Sequence, residues 1–191
     1  MSSLYDFNLI QEVALIDYLA EKAEKYLKKM GKKVKFSEKY KMFFIKESFK
    51  IDNEMIDLGF IILFIIPRWV QILVPLFSLR NLGKDVKYKL FKLLLKLNHE
   101  IFDTEFEYCE PLDFIMISNE IHLDGFVYDS FEEEYEAILM AIKSLIEDAQ
   151  KEIPEFDIIK ILRRDSKRDL DDLVKYLLEK LKKEEKDTTL T

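Results

Sequence analysis

Two histidines, His99 and His122, and one cysteine, Cys109, are the side chains of this 191-residue chain best suited to act as general base, nucleophile or metal ligand. His99 adjoins Glu100 and has Asp103 nearby, so this trio holds the donor types of a metal or acid–base site. Helical spacing favours a different reading. His99 falls on the same face as Tyr88 and Leu95, the setting of an interface histidine rather than a ligand. Cys109 ends the run EFEYC with no cation beside it to lower its pKa, which describes an inert buried thiol. Glu132, Glu133 and Glu134 fall in the first turn of an expected helix, where the helix dipole and solvent account for them. No nucleophile stands beside a base and no phosphate loop or ligand cluster is present. The expectation is therefore no catalytic residue, no metal and no cofactor.

Composition narrows the function classes further. The chain is 49% hydrophobic, with 15 Phe and 9 Tyr and only four Gly and four Pro, enough for one packed core of domain size plus an appendage. A net charge of -7 argues against nucleic acid, whose binding draws on clustered Lys and Arg. A single cysteine excludes an intrachain disulfide and makes a reducing cytoplasm the default compartment. The start MSSLYDFN lacks a basic region followed by an apolar one, so no signal peptide is expected. Abundant Lys and Glu suit a protein working at high temperature. The stretch 58–79, LGFIILFIIPRWVQILVPLFSL, meets the length of roughly 20 residues for a membrane helix. Pro67, Arg68 and Gln71 interrupt its middle, and its Ile, Phe and Val content fits two strands joined at Pro67-Arg68 better.

Several elements must position these residues. Leu9, Val13, Ile16, Ala20, Ala23, Leu27 and Met30 make one helical stripe, with Asn8 as the expected N-cap, Gln11 completing a capping box, and Gly31 as the C-cap, so a helix is expected over 9–30. Lysines 22, 25, 28, 29, 32, 33 and 35 gather at its end, as a solvated face favoured by the dipole, with a phosphate-binding patch as the alternative. Strands follow at 40–51, 56–66 and 69–79, a meander whose middle strand is apolar on both faces. A second helix over 85–102 carries the core stripe Val86, Leu90, Leu93, Leu97 and Ile101. Its opposite face gathers Tyr88, Phe91 and Leu95, candidates for a dimer or partner contact, with cover by the C-terminal region as the alternative. A hairpin, EFEYC and DFIMISNEI, turns at Glu110-Pro111. Ser130 and Glu133 form a capping box for a helix carrying Phe131, Tyr135, Ile138, Leu139, Ile142, Leu145 and Ile146, which ends before Pro154.

This order is helix, three strands, helix, two strands, helix. With LLLKLNHE at 93–100, the hairpin EFEYCEPLDFIMISNEI and the helix beginning SFEEEYEAILMAI, it resembles the YbjN-like family and, more broadly, the type III secretion chaperone-like fold, over about residues 9–152. The resemblance implies a non-enzymatic binding fold in which the middle helix is a dimer element, as in small acidic chaperones that bind extended segments of partner proteins. The chain departs from that group in its extra C-terminal region, and the secretion role is not carried over.

That region, 155–191, holds Arg163, Arg164 and Arg168 diluted by Asp165 and Asp169, then the stripe Leu170, Leu173, Val174, Leu177, Leu178 and Leu181. This amphipathic helix is expected to pack on its own core, the alternatives being that it is offered to a partner or paired with its copy, and a polar tail, KKEEKDTTLT, follows it. The sequence thus implies an α+β domain over 1–154, an antiparallel sheet of about five strands flanked by helices, and a helical extension over 155–191. The expected role is a protein-binding module of adaptor or chaperone-like kind, homodimeric and cytoplasmic. The alternatives are an enzyme or small-ligand protein with an unrecognised site, or a membrane protein using 58–79.

Overall fold

A computed structural model describes residues 2–51, 54–65, 68–101 and 104–165, without the side chains of 2–10, 49 and 111. The first helix, α1 (Ser2–Lys29), is longer than the capping box implied, and Asn8 lies inside it. It ends where expected: Gly31 takes φ 72°, the Lys32 amide donates to the Leu27 carbonyl at 2.9 Å, and the Gly31 amide donates to that of Lys28 at 3.0 Å. This is the paired C-terminal closure that favours glycine. Leu19, Ala20, Ala23 and Leu27 are buried while Val13 is exposed, so only the C-terminal half of the stripe reaches the core.

Four strands follow, β1 (Val34–Ser37), β2 (Met42–Ile51), β3 (Glu54–Ile65) and β4 (Trp69–Ser78), then α2 (Lys84–Glu100), β5 (Glu105–Cys109), β6 (Phe114–His122), α3 (Tyr128–Glu152) and α4 (Ile158–Asp165). The strands form one antiparallel sheet of six in the order β1-β2-β3-β4-β6-β5. The α+β class and the helix-flanked antiparallel sheet agree with the sequence reading, and β1 is the added strand. Four residues mixing Lys with Val and Phe carry too little periodicity to announce β1; pairing with Met42–Ile45 makes it a strand. Because β6 separates β4 from β5 and is antiparallel to both, β4 and β5 run parallel and α2 is their crossover. Pro75 sits in the interior strand β4, where a missing N–H would break the ladder; the register shifts between Pro75 and Phe77 and accommodates it.

Residues 58–65 and 69–78 belong to β3 and β4, and no helix among the described residues is long and apolar enough to cross a membrane. Helix α3 starts at Tyr128 with Val127 as N-cap, so Ser130 is inside the helix and the expected capping box does not form. The expected apolar stripe of α3 is otherwise buried, with Leu139 packed against the core. Side chains from α1, α2, α3 and α4 meet Phe43, Ile45, Leu58, Phe60, Ile62, Ile72, Val74, Ile115 and Ile117 in one large core on one face of the sheet. Phe156, Ile158 and Leu162 are part of it, so the chain just beyond Pro154 packs on the same core.

Candidate partner-binding surface

Helix α2 buries Leu90, Leu93, Leu94 and Leu97 against the sheet and α3. Its other side stays in water. Tyr88 is 73% exposed and Leu95 71% exposed, while Phe91, between them on the face, is half-buried and packed against the core. The sequence grouped these three by helical angle alone; the structure keeps them on one face and separates the two protruding side chains from the one that also supports the core.

Neighbouring contacts tie this helix to β5, to Asp113 and to α3. The Phe91 ring meets Tyr108 of β5 edge to face, with centroids 5.4 Å apart and planes at 84°. Tyr108 donates its hydroxyl to Asp113 Oδ1 at 3.0 Å, which holds its pKa above the ordinary phenol value, and Lys87 of α2 reaches Asp113 Oδ2 at 3.4 Å. On the far side, Lys96 contacts Glu152 at 2.9 Å and Asp148 at 3.4 Å, while Lys89 contacts Glu155 at 2.5 Å. The hydrogen bond from Lys89 holds the Glu155 carboxyl below its ordinary pKa.

Asn98, within the LLLKLNHE segment, adds a second anchor. Its Oδ1 accepts from the Phe106 amide at 2.8 Å and its Nδ2 donates to the Phe106 carbonyl at 3.0 Å. Strand β5 is at the edge of the sheet, and this side-chain amide occupies backbone groups that another strand would otherwise pair with. Strand addition at Phe106 would have to displace Asn98.

The residues first considered for chemistry are scattered. His99 and Glu100 are exposed at the end of α2, and Asp103 lies outside the described residues. His122 is on β6, its ring against Trp69 at 5.0 Å and its Nδ1 accepting from the Asp124 amide at 3.4 Å. Cys109 is buried on the opposite face of the sheet. Among the described residues no group of three or more His, Cys, Asp and Glu is placed to hold a metal ion. The lysines at the end of α1 are not simply a solvated face. Lys29 Nζ lies 3.2 Å from the Tyr128 ring centroid, Lys32 Nζ 5.0 Å from that of Tyr135 and Lys22 Nζ 5.4 Å from that of Phe126. These rings come from residues about a hundred positions away, a proximity that no local spacing signals.

Glu132 accepts from the Tyr128 hydroxyl and Glu134 from Asn119, so two members of the acidic run have specific partners beyond the helix dipole. Arg163 pairs with Glu54 and Arg164 with Asp165, the latter at 2.7 Å. Arg168, Asp169 and the helix stripe Leu170, Leu173, Leu177 and Leu181 lie outside the described residues. A shallow cleft of 410 Å³ is lined by Glu54, Asp157, Ile159, Lys160 and Arg163, and the Arg163–Glu54 pair spans it. Compared with known proteins, the chain matches no family model and no curated sequence.

Proposed function

We propose that this chain is a non-enzymatic protein-binding module of the adaptor or chaperone-like kind, working as a homodimer in the cytoplasm. The observation that carries the reading is the α2 surface: Tyr88 and Leu95 project into water from a helix whose other sides are fixed by the core, by Asp113 and by the α3 carboxylates. Exposed apolar side chains on a pre-organised element lose little entropy on association, so their burial is available for binding. An aromatic anchor such as Tyr88 is the residue type enriched where interface energy concentrates. Lys84 and Lys92 lie on the same helix face and are exposed, which gives the surface a basic rim suited to carboxylates on a partner.

The resemblance to the YbjN-like and secretion-chaperone group supports the same reading, since a middle helix as dimer element is what that resemblance implies. Tagged wild-type protein and the Tyr88→Glu, Leu95→Glu variant, recovered from the native host at two salt concentrations and compared by quantitative mass spectrometry, test the proposal. A stoichiometric protein present with wild type and lost from the variant is the expected result. The same proteins recovered with both would contradict it.

A further inference from the structure

Helix α1 has 28 residues and is about 42 Å long, yet the core takes up only its second half. Leu19 is the first of its described side chains to be buried. Leu15 packs on the core from a half-buried position, while residues 11–14, 17 and 18 are exposed, Val13 at 44% and Tyr18 at 58%. The exposed half does not have the composition of a solvated helix. Ten of the fifteen residues 4–18 are apolar or aromatic. Val13 and Tyr18 stand about 140° apart round the axis, so the apolar character extends beyond the stripe that faces the core. A helix apolar on more than one side packs on more than one side. The charged side chains of this half are all of one sign: Asp6, Glu12, Asp17 and Glu21 come before the first Lys, at 22, with no Arg or His among them. Lys41 lies 3.1 Å from Asp17, which stays exposed.

The α2 surface has the opposite sign. Within about 60° of the line through Tyr88 and Leu95, the titratable residues besides Tyr88 are Lys84, Lys92 and His99. Asp85 and Glu100 lie further round, on the side of Lys89 and Lys96, and these two lysines already pair with Glu155, Asp148 and Glu152. Neither surface suits its own copy. An α2–α2 contact offers Lys84 and Lys92 no carboxylate, and a contact between two first halves of α1 gathers carboxylates alone, an arrangement that like charges disfavour. We propose that the two surfaces meet between copies: the first half of α1 from one chain lies along α2 of a second chain, and the second chain returns the contact. Apolar side chains of α1 then cover Tyr88 and Leu95, and its carboxylates face Lys84 and Lys92. The lengths match, since residues 2–18 and α2 are 17 residues each, about 25 Å. This inference rests on the reading of α2 as the dimer element and adds which element it receives.

A zero-length carbodiimide joins a carboxylate to a lysine only where the two touch, so it reads this contact directly. Full-length chains of normal and heavy isotopic mass, refolded together from urea, should give heavy–light peptides that join Glu12 or Asp17 to Lys84 or Lys92. The Asp17–Lys41 pair, a contact within one chain, is the control that stays within one mass class. Val13→Lys with Tyr18→Lys, both at exposed positions, should keep native circular dichroism, weaken self-association about tenfold or more in light scattering, and abolish the heavy–light links. A dimer whose α1–α2 links are confined to single chains, or that carries none, would overturn the inference and leave the α2 dimer standing. A folded lysine variant that dimerises as tightly as wild type would do the same. A wild-type monomer at every concentration would overturn both readings. Should the lysine variant fail to fold, the wild-type cross-links decide alone.

Discussion

The hydroxyl of Tyr135 on α3 donates a 2.6 Å hydrogen bond to Oε1 of Glu47 on β2, 88 residues away, and Lys32 Nζ lies 2.9 Å from the same oxygen. Tyr135 is fully buried and stacks on Phe60 at 4.8 Å. Three elements, the end of α1, the sheet and α3, therefore meet at one carboxylate. A carboxylate this near the core is tolerated because both partners satisfy it.

Removing the phenol isolates that contribution. Tyr135→Phe keeps the ring and deletes one donor, so urea unfolding should show a loss of about 1.5–3 kcal/mol, the range for a hydrogen bond to a charged group. Tyr135→Leu should lose more, since it also removes the stack on Phe60. A Phe variant as stable as wild type would show that Lys32 alone satisfies Glu47.

Alkaline pH probes the same contact. Burial, then the hydrogen bond to Glu47, pushes the Tyr135 phenol well above its ordinary value, and the hydrogen bond to Glu132 pushes Tyr128 up to about 12. A folded-state pKa above the unfolded value of about 10 contributes stability that is complete below that pH and is lost as pH rises through the folded value. Stability should therefore decline as pH rises above about 10, and less steeply in Tyr135→Phe. Urea midpoints between pH 9 and about 11.5 measure this; parallel curves for the two proteins would contradict it.

At the sheet edge, Asn98→Ala should leave the amide and carbonyl of Phe106 without their side-chain partner. The expected loss is about 1–3 kcal/mol, together with a tendency to associate through the uncovered β5 edge. Urea unfolding and light scattering report the two effects separately. An unchanged stability with no association would mean that water replaces Asn98 fully.

The contrast between local and distant signals explains what the sequence made legible. The stripes of α2 and α3 and the apolar runs of β3 and β4 announce themselves because burial repeats at the period of the backbone. The capping boxes at Asn8 and Ser130 misplace two helix starts: Asn8 lies within α1, and α3 begins at Tyr128, whose ring meets Tyr26 of α1 edge to face, a contact between residues far apart in the chain. Strand β1 takes its identity from its partner β2. The Tyr88, Phe91 and Leu95 face is visible in helical spacing, but its fixation by Tyr108, Asp113 and the α3 carboxylates is not, because those contacts join residues far apart in the chain. Asn98 reads as an ordinary helix residue until the edge strand beside it is known.

The most direct test of the account is the solution mass of wild-type protein and of Tyr88→Glu with Leu95→Glu, by light scattering across a range of concentrations. Both substitutions are at exposed positions, whereas Phe91 also supports the core, so the native fold should persist by circular dichroism. The account predicts a wild-type mass twice the 22.9 kDa of one chain and a variant that runs as a monomer. A wild-type monomer at every concentration, or a variant that keeps the dimer mass, would contradict it.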